Sequence, residues 1–356
     1  MKRFLHQPIN YRLKIFLLYL TFLFPVLLWP ETLKVVIINV WSGLDYIGSL
    51  KMGEYEDDRT RARRYDLLVR ELKEIDADVI ALNEANKLPR YARRIARNLD
   101  YDKVYHVGVG GVRIGTLGLP VNLREGDVIL AKQKHNMKSE GRQQLSGGYV
   151  GNLITFHFAD ATQVVAAKIV VENQNVYLFN THWHASPFPH KEYLVNEIDD
   201  YLTGEINAKK CIQTLSESIG GHEWRMNEAR KTLEFIDKIA GDNPVILMGD
   251  FNALSNSKEI SLLKDAGFVD TYPAVNSNVG YTWDELLNTN IQTHYFKGFV
   301  DETKCRRDRI DYIFIRGDNL KVLKSEVVFN KPNNGIHPSD HFGVLTEIEL
   351  ISYSKK

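Results

Sequence analysis

Short apolar runs rich in β-branched residues recur along this chain, and few are separated by a segment long enough for a crossover helix. That arrangement excludes an all-helical fold and a purely parallel sheet, and it points to an α/β protein with mixed or antiparallel sheets. The first run, "LKVVIINVWS" from Leu33, is apolar at successive positions and reads as a strand buried on both faces. Further strands are expected at Val79 to Leu82, Asp127 to Ala131, Leu153 to Phe158, Val164 to Val171, Asn175 to Asn180, Val245 to Met248, Ile310 to Ile315 and Gly343 to Leu350.

Between the first two strands, Tyr65, Leu68, Val69, Leu72 and Ile75 recur at helical spacing until Asp76-Ala77-Asp78 break the pattern. "LPRYARRIARNLDY" reads as a short basic helix, and further helices are expected near Glu223 to Ala240 and Ser257 to Asp265. Residues 107–127 are rich in glycine and read as a long surface loop. Those glycines do not lie between a strand and a helix, so no phosphate cradle or organic cofactor is assigned to them. No internal repeat or linker follows residue 33, and residues 31–356 are expected to form one domain with a long insertion near 185–222.

Ahead of that domain, Lys2, Arg3, Arg12 and Lys14 precede the uncharged run "IFLLYLTFLFPVLLW". Residues 1–30 therefore read as an N-terminal apolar helix acting as a membrane anchor or signal segment. The run ends in Leu28-Trp29-Pro30 rather than the small residues that precede signal cleavage, which favours an uncleaved anchor. The basic flank then places the rest of the chain outside the cytoplasm, with secretion as the alternative.

Lys plus Arg and Asp plus Glu number 45 each, so no global field gathers a polyanion, although a nucleic-acid partner is not excluded. Cys211 and Cys305 are in no metal-ligand spacing and are either a disulfide or two free thiols.

Polar residues cluster at the ends of the expected strands: Asn39, Glu84, His182, His184, Asp250, Asn252, Asp311, Asp340 and His341. Each alone has an ordinary explanation, such as a cap, an Asx-turn, or a pairing of Asp311 with Arg309. Together they supply a carboxylate for a hard divalent cation, a carboxylate-amide pair two residues apart, and two histidines with carboxylates to orient them. Carboxylate and amide oxygens are the ligands Mg²⁺ accepts, so the inventory suits metal-assisted hydrolysis of a phosphate ester. Serine acyl transfer is disfavoured because no G-x-S-x-G elbow occurs.

"NVWS", "VIALNEA", "FNTHWHA", "VILMGDFNA", "RIDYIFI" and "HPSDHFGV" occur in an order and spacing that resemble the endonuclease/exonuclease/phosphatase superfamily, from about residue 33 to 350. The resemblance implies a four-layered α/β sandwich, two packed mixed β-sheets flanked by helices, with a site at one end of the sheets that uses Mg²⁺ or Mn²⁺. It implies Glu84 as the principal metal ligand, Asn39 beside it on metal-bound water or phosphate, and Asp340 close to the metal. Asp250 would orient or deprotonate the attacking water, Asn252 would hold a phosphate oxygen, and His182 would contact the phosphate. His341 would act as general base or phosphate donor, with Asp311 fixing its tautomer. One departure stands out: Asn83 precedes Glu84 where the family often has Gln.

The "THxHA" form around His182 resembles the neutral sphingomyelinase branch. That implies a monomeric phosphodiesterase acting on a phospholipid headgroup such as sphingomyelin, with Trp183, Phe188, Trp283, Phe296 and Phe299 either at a lipid interface or simply packed. The alternatives are a Mg²⁺-dependent endo- or exonuclease, served by Arg90, Arg93, Arg94, Arg97, Arg306, Arg307 and Arg309, and an inositol-phosphate phosphatase. A catalytically inactive binding module is a further alternative, against which the complete polar set speaks.

Overall fold

The computed structural model describes residues 31–47, 50–110, 112–114, 117–119, 121–146, 162–185, 191–298, 302 and 305–351. In chain order these form β1 (Thr32–Asn39), α1 (Asp58–Ile75), β2 (Val79–Ala85), α2 (Arg90–Leu99), β3 (Tyr101–Val109), β4 (Val112–Ile114), β5 (Leu117–Leu119), β6 (Glu125–Lys132) and β7 (Lys138–Gln144). There follow β8 (Gln163–Val171), β9 (Gln174–His182), α3 (Lys191–Leu202), α4 (Ala208–Ala240), β10 (Val245–Asp250), α5 (Lys258–Asp265) and β11 (Val269–Asp270). The last elements are β12 (Trp283–Asp284), α6 (Thr289–His294), β13 (Arg307–Asp308), β14 (Asp311–Arg316), β15 (Leu320–Val328) and β16 (Gly343–Leu350).

Two six-stranded sheets, ordered β15-β16-β1-β2-β6-β3 and β11-β14-β10-β9-β8-β7, pack face to face. Each is mixed: β1 with β2 and β9 with β10 are parallel, and the remaining pairs are antiparallel. The period of two along β1 explains its unbroken apolarity. Leu33, Val35 and Ile37 enter the core between the sheets with Val79, Ile129, Leu178, Ile246 and Ile313. Val36 and Ile38 point outward beneath α1 and α2, against Tyr65, Leu68, Leu72, Ala92 and Ile95. On the far side Ala229, Phe235 and Ile236 of α4 and Ile260 and Leu263 of α5 cover Phe179, Val245 and Leu247. Helix, sheet, sheet, helix is thus the layer order, the four-layered sandwich expected from the motifs.

Several expectations need correction. Residues 107–127 are not a long loop: β3 runs to Val109 on β6, β4 and β5 form a small hairpin, and β6 begins at Glu125. Gly126 serves close strand contact, since a Cβ there would lie 2.0 Å from the His106 carbonyl oxygen. The helix expected from Glu223 begins at Ala208, where Asn207 caps the Lys210 N–H at 2.9 Å, so the insertion is largely helical. Cys211 and Cys305 are not joined in a disulfide, Cys211 being buried and Cys305 partly so. The strand expected at Leu153 to Phe158, the apolar helix within residues 1–30, Phe188 and Phe299 lie outside the described residues. Among the described residues no helix is long and apolar enough to cross a membrane.

Candidate active site

The inner faces of the strands change character at one end of the sandwich. Along β10 the inward positions run Ile246, Met248, Asp250, and along β9 they run Val176, Leu178, Asn180, His182. On β1 Leu33, Val35 and Ile37 give way to Asn39, and on β14 Ile313 and Ile315 are preceded by Asp311. Strand register then sets the polar residues side by side: Asp250 pairs with His182 on one side and Asp311 on the other, and Asn39 pairs with Asn83 in the facing sheet. A Cβ on Gly249 would meet the Thr181 carbonyl oxygen at 2.0 Å, so the close approach of β10 to β9 at this point needs glycine.

Asn39 joins two carboxylates, its Nδ2 donating to Glu84 Oε1 at 2.8 Å and to Asp250 Oδ2 at 3.0 Å. Its Oδ1 accepts the Trp41 N–H at 3.0 Å, which fixes the amide orientation, because the flipped amide would aim oxygen at both carboxylates. Asn39 therefore presents protons, not an oxygen, to this cluster. The second Glu84 oxygen accepts the Ser42 N–H at 3.1 Å.

His341 Nδ1 lies 2.9 Å from Asp311 Oδ2, and its Nε2 faces Asp250 Oδ2 at 3.8 Å. Its ring meets that of Trp283 edge-on at 5.1 Å. Asp311 pairs with this histidine and not with Arg309, which instead makes two bonds to Asp270. His182 Nε2 lies 3.5 Å from Asp250 Oδ2 and 3.2 Å from Asn252 Nδ2. The amide donates one proton to the Trp183 carbonyl at 3.0 Å and has a second for Nε2, which accepts it in one tautomer and, when protonated, faces Asp250 instead. Asp340 is buried and accepts from the Tyr295 hydroxyl at 3.0 Å and from Ser339 Oγ at 3.2 Å. His184 is held by its backbone, its N–H on Glu228 and its carbonyl on Arg225 of α4.

These groups open into a cavity of about 410 Å³ lined by Trp41, Tyr46, Glu84, His182, Asp250, Asn252, Trp283, Tyr295, Arg306, Asp340 and His341. Trp41, Tyr46, Glu84 and Asn252 have positive φ of 55°, 54°, 54° and 46°. Left-handed backbone at bulky residues is uncommon, and its concentration around one cavity is the pattern of strain held at a functional site.

Charge in the cavity is unbalanced. Burial, then the nearby Glu84 charge, raise the Asp340 carboxyl, against the pull of His341. Burial raises Asp311 as well, with His341 opposing and Asp250 reinforcing. Burial alone would lower both histidines. The carboxylates of Asp250, Glu84, Asp127 and Glu125 reverse this for His182, pushed up to about 9, and Asp311, Asp250 and Asp340 reverse it for His341. An acid-rich cavity short of positive charge, with a buried Asp311 oxygen lacking any partner, fits a hard divalent cation on oxygen ligands. Asp250, Asp311 and His341 each offer one ligand atom within 4.8 Å of the others, and Glu84 and Asp340 line the same cavity.

Of the expected arginines, only Arg306 lines the cavity. Arg309 is buried against Asp270, Arg307 pairs with Asp284, and Arg94 lies on α2 against Tyr65 and Asp66. Trp183 is fully buried on Phe251, whereas Trp283 is a wall of the cavity. The supporting residues were not foreseen. Asn83 Oδ1 accepts the Asp250 N–H, and Asn288 and Asn290 donate to the carbonyls of His337, Ser339 and Asp340. Buried amides within apolar sequence are the only signal that could have found them.

Residues 37–341 match the model of the Endonuclease/Exonuclease/phosphatase family. Tyrosyl-DNA phosphodiesterase 2 of Bos taurus is 26% identical over 174 residues, 46% of this chain and 45% of that protein. Nocturnin of Drosophila melanogaster is 26% identical over 146 residues, 36% of this chain and 23% of that one. Matches thus span less than half the length of these curated relatives. D. rerio TDP2 complexed with single-strand DNA product superposes with TM-score 0.58 at 17% identity, covering 90% of this chain and 99% of that one. An endonuclease/exonuclease/phosphatase from Bacteroides vulgatus gives 0.59 at 16%, with the same coverage. The order of strands, the polar ends of those strands and the span of the family match agree, and this chain belongs to the endonuclease/exonuclease/phosphatase family.

Proposed function

We propose that this protein hydrolyses a phosphate ester with a divalent cation, Mg²⁺ or Mn²⁺, held by Glu84 and Asp340. The observation that carries this reading is the register that brings His182, Asp250 and Asp311 side by side, with His341, Asn39 and Glu84 closing the cluster. A bound cation would supply Lewis-acid neutralisation of charge on the phosphoryl oxygens. Asp250, held by Asn39 and the Asn252 N–H, orients the attacking water and accepts its proton. His182 and the Asn252 amide donate to the phosphoryl oxygens as charge builds there. Asp311 keeps the proton of His341 on Nδ1, so that Nε2 faces the reacting atoms.

The substrate reading is a compact phosphodiester, a phospholipid headgroup such as sphingomyelin. The "THWHA" form, the zero net charge and a cavity with several aromatic rings and one arginine support it. A nucleic acid end is the second reading, favoured by the names of the relatives: a bovine tyrosyl-DNA phosphodiesterase and a TDP2 holding single-strand DNA product. The tied arginines speak against a duplex groove.

We read residues 1–30 as an anchor ahead of a single catalytic domain, with that domain outside the cytoplasm. β1 enters at Thr32 and reaches the cavity at Asn39, so an anchor would emerge about 25 Å from the catalytic end, given ~3.3 Å per strand residue. Sphingomyelin vesicles, a single-stranded oligonucleotide and inositol phosphates, each assayed with Mg²⁺ and with chelator, test the reading. Turnover of the oligonucleotide alone would overturn the lipid choice, and turnover of all three unchanged by chelator would overturn the mechanism.

A further inference from the structure

The loop after β1 reaches across the cation cluster and supplies Trp41, Leu44 and Tyr46 to the cavity. Tyr46 is unusual within it. The residue lines the cavity and is 47% exposed, yet its backbone is left-handed, φ 54°, a conformation a bulky residue adopts only when its surroundings compel it. The compelling contact is at the far end of the ring. The Tyr46 hydroxyl donates to Glu125 Oε2 at 2.6 Å, and Ser42 Oγ lies 3.0 Å from the same hydroxyl. Glu125 is buried at the first position of β6, a strand paired on both sides, and Ser42 holds Glu84 through its N–H. One hydroxyl therefore ties a strained loop to the sheet beside Glu84, which would hold the cation.

We propose that Tyr46 is a specificity-determining residue, latched by Glu125 so that its ring fixes the width of the cavity for the organic group on the phosphate. The latch rests on the phosphate-ester reading above. A hydrogen bond between two buried oxygens is costly to leave unmade, which suits it to holding an unfavourable backbone. With the hydroxyl released, the loop relaxes and the ring no longer defines one edge of the cavity. Discrimination between bulky and small organic groups is then lost, while the cation cluster keeps Asn39, Glu84 and Asp250.

Tyr46→Phe keeps the ring and removes the latch, and Glu125→Leu removes the acceptor at similar volume. The full chain and both variants are assayed with Mg²⁺ on methyl p-nitrophenyl phosphate and on bis(p-nitrophenyl) phosphate. The ratio of kcat/KM for the aryl ester to that for the methyl ester is expected to shift at least fivefold in both variants, through KM. The Mg²⁺ concentration giving half activity stays within twofold. An unchanged ratio, or an equal fall on both esters, would overturn the latch. If the unaltered protein cleaves neither ester with Mg²⁺, the phosphate-ester reading fails instead.

Discussion

His341 Nδ1 sits 2.9 Å from Asp311 Oδ2, while the other oxygen of that buried carboxylate has no partner. The pair orients the histidine, its Nδ1 proton held and its Nε2 directed toward Asp250 and the cavity. Asp311→Asn offers either an amide proton or a weaker acceptor to Nδ1, so the tautomer is no longer enforced. We expect kcat to fall roughly 10²–10⁴-fold, the range of a lost general acid–base contribution. Steady-state kinetics on a chromogenic phosphodiester measures this, and a fall below tenfold would remove Asp311 from the mechanism.

Asn39 is the shared support of Glu84 and Asp250. Replacing it by Ala leaves both carboxylates in place without the donor that orients them. Loss of such an outer partner costs about 10–100-fold in metal affinity or activity. A Mg²⁺ titration of Asn39→Ala activity checks this, and identical half-saturation and maximal rate in variant and parent would contradict it.

Arg309 and Asp270 form a bidentate pair at 2.9 and 2.8 Å, buried at the start of β14. Removing one partner strands the other charge, so Arg309→Met should destabilise the fold by about 3–5 kcal/mol. Urea unfolding followed by far-UV circular dichroism tests it. A loss under 1 kcal/mol would mean that solvent reaches Asp270 once the guanidinium is gone.

Asp78, at the end remote from the cavity, accepts from His135, the Lys34 N–H and Lys134. Burial would raise its carboxyl, but these donors and Lys132 together hold it well below the usual carboxylate range. A folded-state pKa below the unfolded value, about 3.9, contributes stability that is present above that value and is lost as pH falls through it toward the folded pKa. Asp78→Asn is therefore expected to be less stable than the parent at pH 6, with the gap closing below pH ~4. Thermal midpoints across that range decide it, and a gap independent of pH would show that the carboxylate charge is not what matters.

Much of this molecule was legible because two periodicities coincide. The inward series Leu33, Val35, Ile37 ends in Asn39, and Ile246, Met248 ends in Asp250, so strand and site are written in the same alternation. What escaped has physical reasons. β7, "KSEGRQQ", is an edge strand with no apolar run, and Gly126 of β6 marks close strand contact rather than a loop. Arg309 sits two residues from Asp311, but Arg309 finds its carboxylate 39 residues away at Asp270. Tyr46 and Glu125 are 79 residues apart, and no local pattern announces their bond.

The central claim is that His341 and a bound divalent cation act on one phosphate ester. Hydrolysis of bis(p-nitrophenyl) phosphate by the full chain, with Mg²⁺ and with chelator, for the parent and for His341→Ala, tests it most directly. The account predicts turnover with Mg²⁺, none above background with chelator, and a loss of at least 10²-fold in His341→Ala with its folded circular dichroism spectrum retained. Turnover that survives the chelator, or a His341→Ala rate equal to the parent's, would contradict it.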